Sequence, residues 1–127
     1  MSGVVLDFVA PPPGLAPHTG FELSPLAGAA GLFALRAIQD AELRLFLVDP
    51  SLVASQEAAY APVLSDEQTT ALGLTAPEDA LVLVVANPGP EGVHVNLLAP
   101  VVVNTTTGRA AQVILEGQDL PVRAALR

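Results

Sequence analysis

The apolar residues of this chain come in short stretches, in most of which every second residue is apolar, and proline, glycine or asparagine cuts each stretch off. That alternation marks strands with one buried face, because successive side chains of a strand point to opposite sides. Leu43-Arg44-Leu45-Phe46-Leu47-Val48 sets Leu43, Leu45 and Leu47 on one face. Val93-His94-Val95-Asn96-Leu97 sets Val93, Val95 and Leu97 inward, with His94 and Asn96 on the other side. Further strands are predicted at Val4–Val9, Gly31–Ile38, Leu81–Ala86, Val101–Asn104, Ala111–Leu115 and Val122–Leu126. Turn chemistry separates them at Asp49-Pro50-Ser51, Asn87-Pro88-Gly89-Pro90, Thr107-Gly108 and Glu116-Gly117. Many short strands at this spacing predict a mostly β fold, a compact antiparallel β-barrel-like domain with one or two short helices.

One helix announces both of its ends. Ser65 can accept from the amide of Gln68 while the Gln68 side chain reaches back, a capping box. Asp66 and Glu67 then fall in the first turn, where the helix dipole favours negative charge. Gly73 stops the helix, and Leu74 is placed for the apolar contact that accompanies such a stop. The predicted helix, Ser65–Leu72, would pack through Ala71 and Leu72. Ser51 to Tyr60 tolerates a helix, but nothing there fixes its ends.

A length of 127 residues suits one domain, 1–127, without an internal linker or repeat. Thirteen acids against five bases, all of them Arg, leave a net charge of −8. Such a chain repels nucleic acid and anionic lipid, so direct binding to either is not expected. With no Cys there are no disulfides and no thiolate nucleophile or ligand. No apolar run approaches the roughly 18 residues of a membrane span. Met1-Ser2-Gly3 carries no positive charge and Pro11-Pro12-Pro13 interrupts any signal-like segment, so the expected compartment is the cytoplasm.

Catalytic motifs are missing. His18 and His94 stand far apart and outside any ligand spacing, so neither a metal nor another cofactor is expected. No G-x-S-x-G frames a serine, and the lack of Lys removes phosphate-loop and Schiff-base chemistry. The adjacent acids Asp66-Glu67 and Glu78-Asp79 suit a solvated helix start and loop better than acid–base catalysis. The most unusual stretch is Val95 to Asn104, where Asn96 and Asn104 bracket an apolar run interrupted by Pro100. Proline has no amide for a ladder, so this run must form an edge, a bulge or a corner. Both asparagines then either close turns and satisfy backbone groups, or shape an edge that a partner binds. A different class of function, a small barrel enzyme or ligand carrier, would require an enclosed pocket beside His94 and Asn96.

The same stretch, Val95-Asn96-Leu97-Leu98-Ala99-Pro100-Val101-Val102-Val103-Asn104, resembles the N-L-x-A-P-[IV]-[VI]-[IV]-N signature of the bacterial FliW family. Leu45 to Pro50 resembles its F-x-V-x-D/E-P strand end, and Ala111 to Leu115 its Q-x-[IV]-L strand. Leu120-Pro121-Val122-Arg123-Ala124-Ala125-Leu126 is similar to its closing Y-x-x-R-x-x-L, with Leu120 in place of the Tyr. Tyr60, Leu72-Gly73-Leu74 and Glu78 to Leu83 fall where the family has D-Y, L-G-L and E-D-x-[LV]-V-L, with Ala59 in place of the acid. The similarity runs from about Leu32 onward; Pro12 to Pro17 and Phe21-Glu22-Leu23 only approximate the family's opening G-L-P-G-F-E.

The resemblance implies a non-enzymatic regulator and chaperone of flagellum biogenesis. Its partners would be flagellin and the RNA-binding translational repressor CsrA, which the free protein would titrate away from flagellin messages. An acidic chain suits a basic RNA-binding partner, attracting it over a Debye length of roughly 8–10 Å. The acids from Glu57 to Asp79, namely Glu57, Asp66, Glu67, Glu78 and Asp79, are the candidate surface, together with Tyr60, Asn96 and Asn104.

Overall fold

The computed structural model describes residues 4–12, 15–28, 31–40, 42–50, 64–90, 92–115 and 124–125. Its strands are β1 (Val4–Phe8), β2 (Gly20–Pro25), β3 (Leu32–Ala37), β4 (Arg44–Val48), β5 (Ala80–Gly89), β6 (Gly92–Asn104), β7 (Arg109–Gln112) and β8 (Ala124–Ala125). One helix, α1 (Asp66–Leu72), and a 3₁₀ turn at Pro77–Asp79 lie between β4 and β5. Neighbouring strands follow the order β5-β4-β3-β2-β1-β7-β6, and β5 also pairs with β6, so the sheet closes on itself. A ring of seven strands cannot alternate direction throughout. One contact must be parallel, and it is β1 with β7, at Asp7–Arg109 and Phe8–Ala110. β8 adds to the free half of β6, at His94–Ala125 and Val95–Ala124.

Alternation along the strands fills the barrel. Leu6 and Phe8, Phe21 and Leu23, Leu35, Leu47, Leu83 and Val101 join one buried cluster. Phe8 and Phe21 meet edge to face, with ring centroids 5.2 Å apart, an arrangement that aromatic quadrupoles favour. The outer wall carries two more apolar clusters. One unites Val84, Ala86, Val48, Val95 and Leu97. The other lies under α1 and joins Leu72 to Val102, Val113 and Leu115. Val101 to Val103 therefore read as an unbroken apolar run because α1 covers one side and the barrel interior the other.

Pro100 lies within a bulge. Leu83 pairs with Val101 and Val85 pairs with Asn96, so four residues, Leu97 to Pro100, face Val84 alone. The missing proline amide thus costs the pairing with β5 nothing, while on the β7 side Pro100 bonds through its carbonyl alone, which accepts from the Val113 amide at 2.9 Å. The bulge also corrects an expectation. Five steps of β6 cover the span of two steps of β5, and an odd count against an even one exchanges the faces. Val93, Val95 and Leu97 do share a face, yet they pack with Val84 and Ala86 on the outer wall rather than inside. Asn96 is on the side of its inward-facing partner Val85.

Other expectations shift at their ends. The strands predicted at Val93–Leu97 and Val101–Asn104 are one strand. β5 runs on through Asn87-Pro88-Gly89, so the chain reverses only after Gly89, where Gly89 pairs with Gly92. β7 ends at Gln112, though the amides of Val113 and Leu115 continue onto the carbonyls of Pro100 and Leu98, each at 2.9 Å. β2 was unforeseen. Of the predicted Val122–Leu126 strand, Ala124–Ala125 is described; Ser51 to Tyr60 and Glu116-Gly117 lie outside the described residues.

Candidate partner-binding surface

α1 has the ends its sequence specifies. The Ser65 hydroxyl accepts from the Gln68 amide at 3.1 Å, and Gln68 Oε1 accepts from the Ser65 amide at 2.9 Å. Gly73 has φ 68°, a left-handed conformation open to glycine at little cost. Its amide donates to Thr70 and that of Leu74 to Thr69, at 3.1 and 2.9 Å, which closes the helix in a Schellman motif. Leu72 is the buried anchor and Leu74 packs beside it. Ala71, expected to pack with Leu72, is exposed instead, and its carbonyl accepts from the Arg109 guanidinium at 3.4 Å.

Asn104 holds that helix end to the barrel. Its side chain is buried at 2% exposure. Nδ2 donates to the carbonyls of Leu72 and Gly73 at 2.9 and 3.3 Å, and Oδ1 accepts from the amides of Thr106 and Thr107 at 2.9 and 3.3 Å. The last carbonyls of a helix and the first amides of a turn are groups that would otherwise lack partners. Asn96 serves the bulge in the same way, with Oδ1 accepting from the Leu98 amide at 2.9 Å. Gln112 Nε2 donates to Ala99 O at 3.1 Å, and the ladder takes up Leu98 O and Pro100 O. The Asn-Leu-Leu-Ala-Pro run is thus a bulge whose own side chain and those across from it supply the hydrogen bonds it interrupts. Both asparagines bond backbone groups, Asn104 at a helix end and the turn after β6 and Asn96 within the bulge.

The acids divide between the two ends of α1, separated by about 10 Å of helix at 1.5 Å per residue. Asp66 and Glu67 are exposed on the first turn. Glu78 and Asp79 occupy the 3₁₀ turn before β5, beside the helix end that Asn104 holds, with Glu78 exposed and Asp79 half-buried. Asp79 has local work. Its carbonyl accepts from the amide and hydroxyl of Thr105 at 2.9 and 3.1 Å, and its carboxylate from Thr75 Oγ1 at 3.4 Å. Glu57 and Tyr60 lie outside the described residues.

Depressions lined by described residues include one of about 810 Å³ between α1 and residues 111–115, with Asp66 and Glu67 on its rim. One of about 400 Å³ lies between Leu64, Leu74 and Val82, and one of about 220 Å³ beside His18 and Ile38. His94 and Asn96 line none of the three. Among the described residues no three His, Asp or Glu side chains gather as a metal-ligand set, and no helix is long and apolar enough to cross a membrane.

Comparison with known proteins places the chain. The structure superposes on the crystal structure of a flagellar assembly factor FliW with a TM-score of 0.82 over 94% of this chain and 82% of that one; at 23% identity this is a likeness of fold. In sequence the chain is similar to the flagellar assembly factor FliW of Azoarcus sp. (strain BH72), 30% identical over 94% of this chain and 86% of the relative. It is 37% identical to the factor of the same name from Ruminiclostridium cellulolyticum, over 70% of this chain and 60% of the relative. The counterpart in Thermotoga maritima is 33% identical over 72% and 62%. The family model described as FliW protein matches residues 2–126. With that match spanning nearly its whole length, this chain belongs to the FliW family of flagellar assembly factors.

Proposed function

We propose that the chain is a non-enzymatic, cytoplasmic flagellar assembly factor that binds flagellin and antagonises a CsrA-type translational repressor. Through these two partners it couples the level of flagellin to its translation. What carries the reading is membership of the family over residues 2–126, a span that includes the Asn-Leu-Leu-Ala-Pro bulge, the stretch that resembles the family most specifically. The charge supports it. A net −8, with Asp66, Glu67 and Glu78 exposed, attracts a basic RNA-binding protein and repels its RNA. Flagellin, captured as a secretion-bound subunit, would rely on apolar surface more than on charge.

Size-exclusion chromatography of the full chain with the flagellin and the CsrA-type protein of its own cells tests the proposal. A stable complex with each is expected, together with relief of repression in a coupled translation assay when the chain is added. Failure to bind either protein at micromolar concentration, the range of useful cellular affinities, would refute it.

A further inference from the structure

Beyond β7 the chain keeps to β6 through the amides of Val113 and Leu115. In an antiparallel ladder the backbone groups of alternate residues turn to opposite sides, so those of Ala110, Gln112 and Ile114 face away from β6. On that side the Val9 amide donates to Ala110 O at 3.0 Å. There the seam ends. β1 has stopped at Phe8, and Pro11 and Pro12, which follow, have no amide to offer. Among the described residues the N–H groups of Gln112 and Ile114 meet no partner, and Ile114 O takes only Gln68 Nε2 at 3.3 Å. A closed barrel otherwise abolishes such edges.

This open edge forms one side of the 810 Å³ groove. Val9 and Ile114, 46% and 61% exposed, flank it with apolar surface, and Asp66 and Glu67 stand on its far rim. We propose that the edge receives an extended segment of a basic partner protein, which adds a strand beside Gln112–Ile114. Its backbone would pair with these two amides, which meet no partner among the described residues, apolar side chains would rest on Val9 and on Ile114, and a Lys or Arg would face Asp66 and Glu67. Main-chain pairing supplies affinity in such strand addition, and the flanking side chains supply selection. The inference rests on the reading of the chain as a partner-binding factor and names how one partner is held.

The probe is a fluorescein-labelled nonapeptide of alternating Lys and Val, titrated into the full chain with anisotropy and residue-resolved amide exchange as readouts. In the free protein the Gln112 and Ile114 amides should exchange rapidly; with peptide bound they should slow by about tenfold or more. Ile114→Pro deletes an amide that meets no partner among the described residues, so it should weaken the peptide by about tenfold while leaving Tm unchanged. The same peptide with alternate amides N-methylated should not bind, an arm that needs no protein variant. Peptide binding that leaves both amides unprotected is adsorption by charge and overturns the proposal. Protection in the free protein alongside a dimer in sedimentation would overturn it too, since a second copy would be the occupant. A complex with flagellin or the CsrA-type protein that leaves these amides exchanging would remove the edge and keep the functional reading. Binding of neither protein would remove that reading, with the peptide still deciding the edge.

Discussion

Both ends of the Asn104 amide are committed, the nitrogen to the end of α1 and the oxygen to the turn after β6. Asn104→Ala should cost about 1–3 kcal/mol in denaturant unfolding, since buried backbone groups on both sides lose their partner. Asn104→Asp should lose at least as much, because a carboxylate would face the Leu72 and Gly73 carbonyls at the negative end of the helix. Asn96 differs in that, among the described residues, only its oxygen finds a partner. Asn96→Asp should therefore keep most of the stability that Asn96→Ala loses. If Asn96→Asp instead unfolds like the alanine variant, the bulge needs the amide nitrogen as well. Should either alanine variant retain its full stability yet lose a partner, that asparagine acts in binding and not only in closing a turn.

For α1 the two caps are separable elements. Ser65→Ala should destabilise by about 0.5–2 kcal/mol, and Gln68→Ala should cost more on top of it, because the Gln68 side chain bonds the residue-65 backbone amide and the Ile114 carbonyl, both of which Ser65→Ala leaves in place. Gly73→Ala should cost about 1–2 kcal/mol through its left-handed backbone alone, since a Cβ there would meet only Asn104 Nδ2 at 3.8 Å. Thermal denaturation of the three variants checks both. This helix was legible because its signals are local: cap, box, acids and stop fall within ten residues. Most strands were legible for the same reason, through their alternation. β2 was not, since Phe21 and Leu23 alone carry its pattern and Pro17 and Pro25 hem it in. Pro100 announced an irregularity, but which face Val95 and Leu97 take depends on how many residues of β6 oppose Val84, a count set by pairing with β5. The open edge at Gln112–Ile114 was equally hidden. Its freedom depends on where β1 leaves the sheet, a fact written about a hundred residues earlier in the chain.

At the scale of the molecule the charge is spread, with the two acidic pairs at opposite ends of α1. Exposed charges act more on encounter than on the final complex. Asp66→Lys combined with Glu67→Lys should slow association with a CsrA-type protein and flatten its dependence on salt, with flagellin affected less. Stopped-flow mixing at two salt concentrations measures this; equal losses for both partners would assign the pair a general role rather than one in steering. The parallel seam between β1 and β7 has a different kind of consequence, one in time. Residues 4–8 leave the ribosome about a hundred residues before their parallel neighbour, which begins at Arg109. Until then a nascent chain can zip β1 through β6 but has nothing to shut the cylinder, and Leu6, Phe8 and Phe21 stand on an uncovered wall. Contacts that distant in sequence form slowly, on the order of milliseconds to seconds. During synthesis the chain therefore passes through a stage with apolar wall exposed, and the arrival of β7 ends that stage.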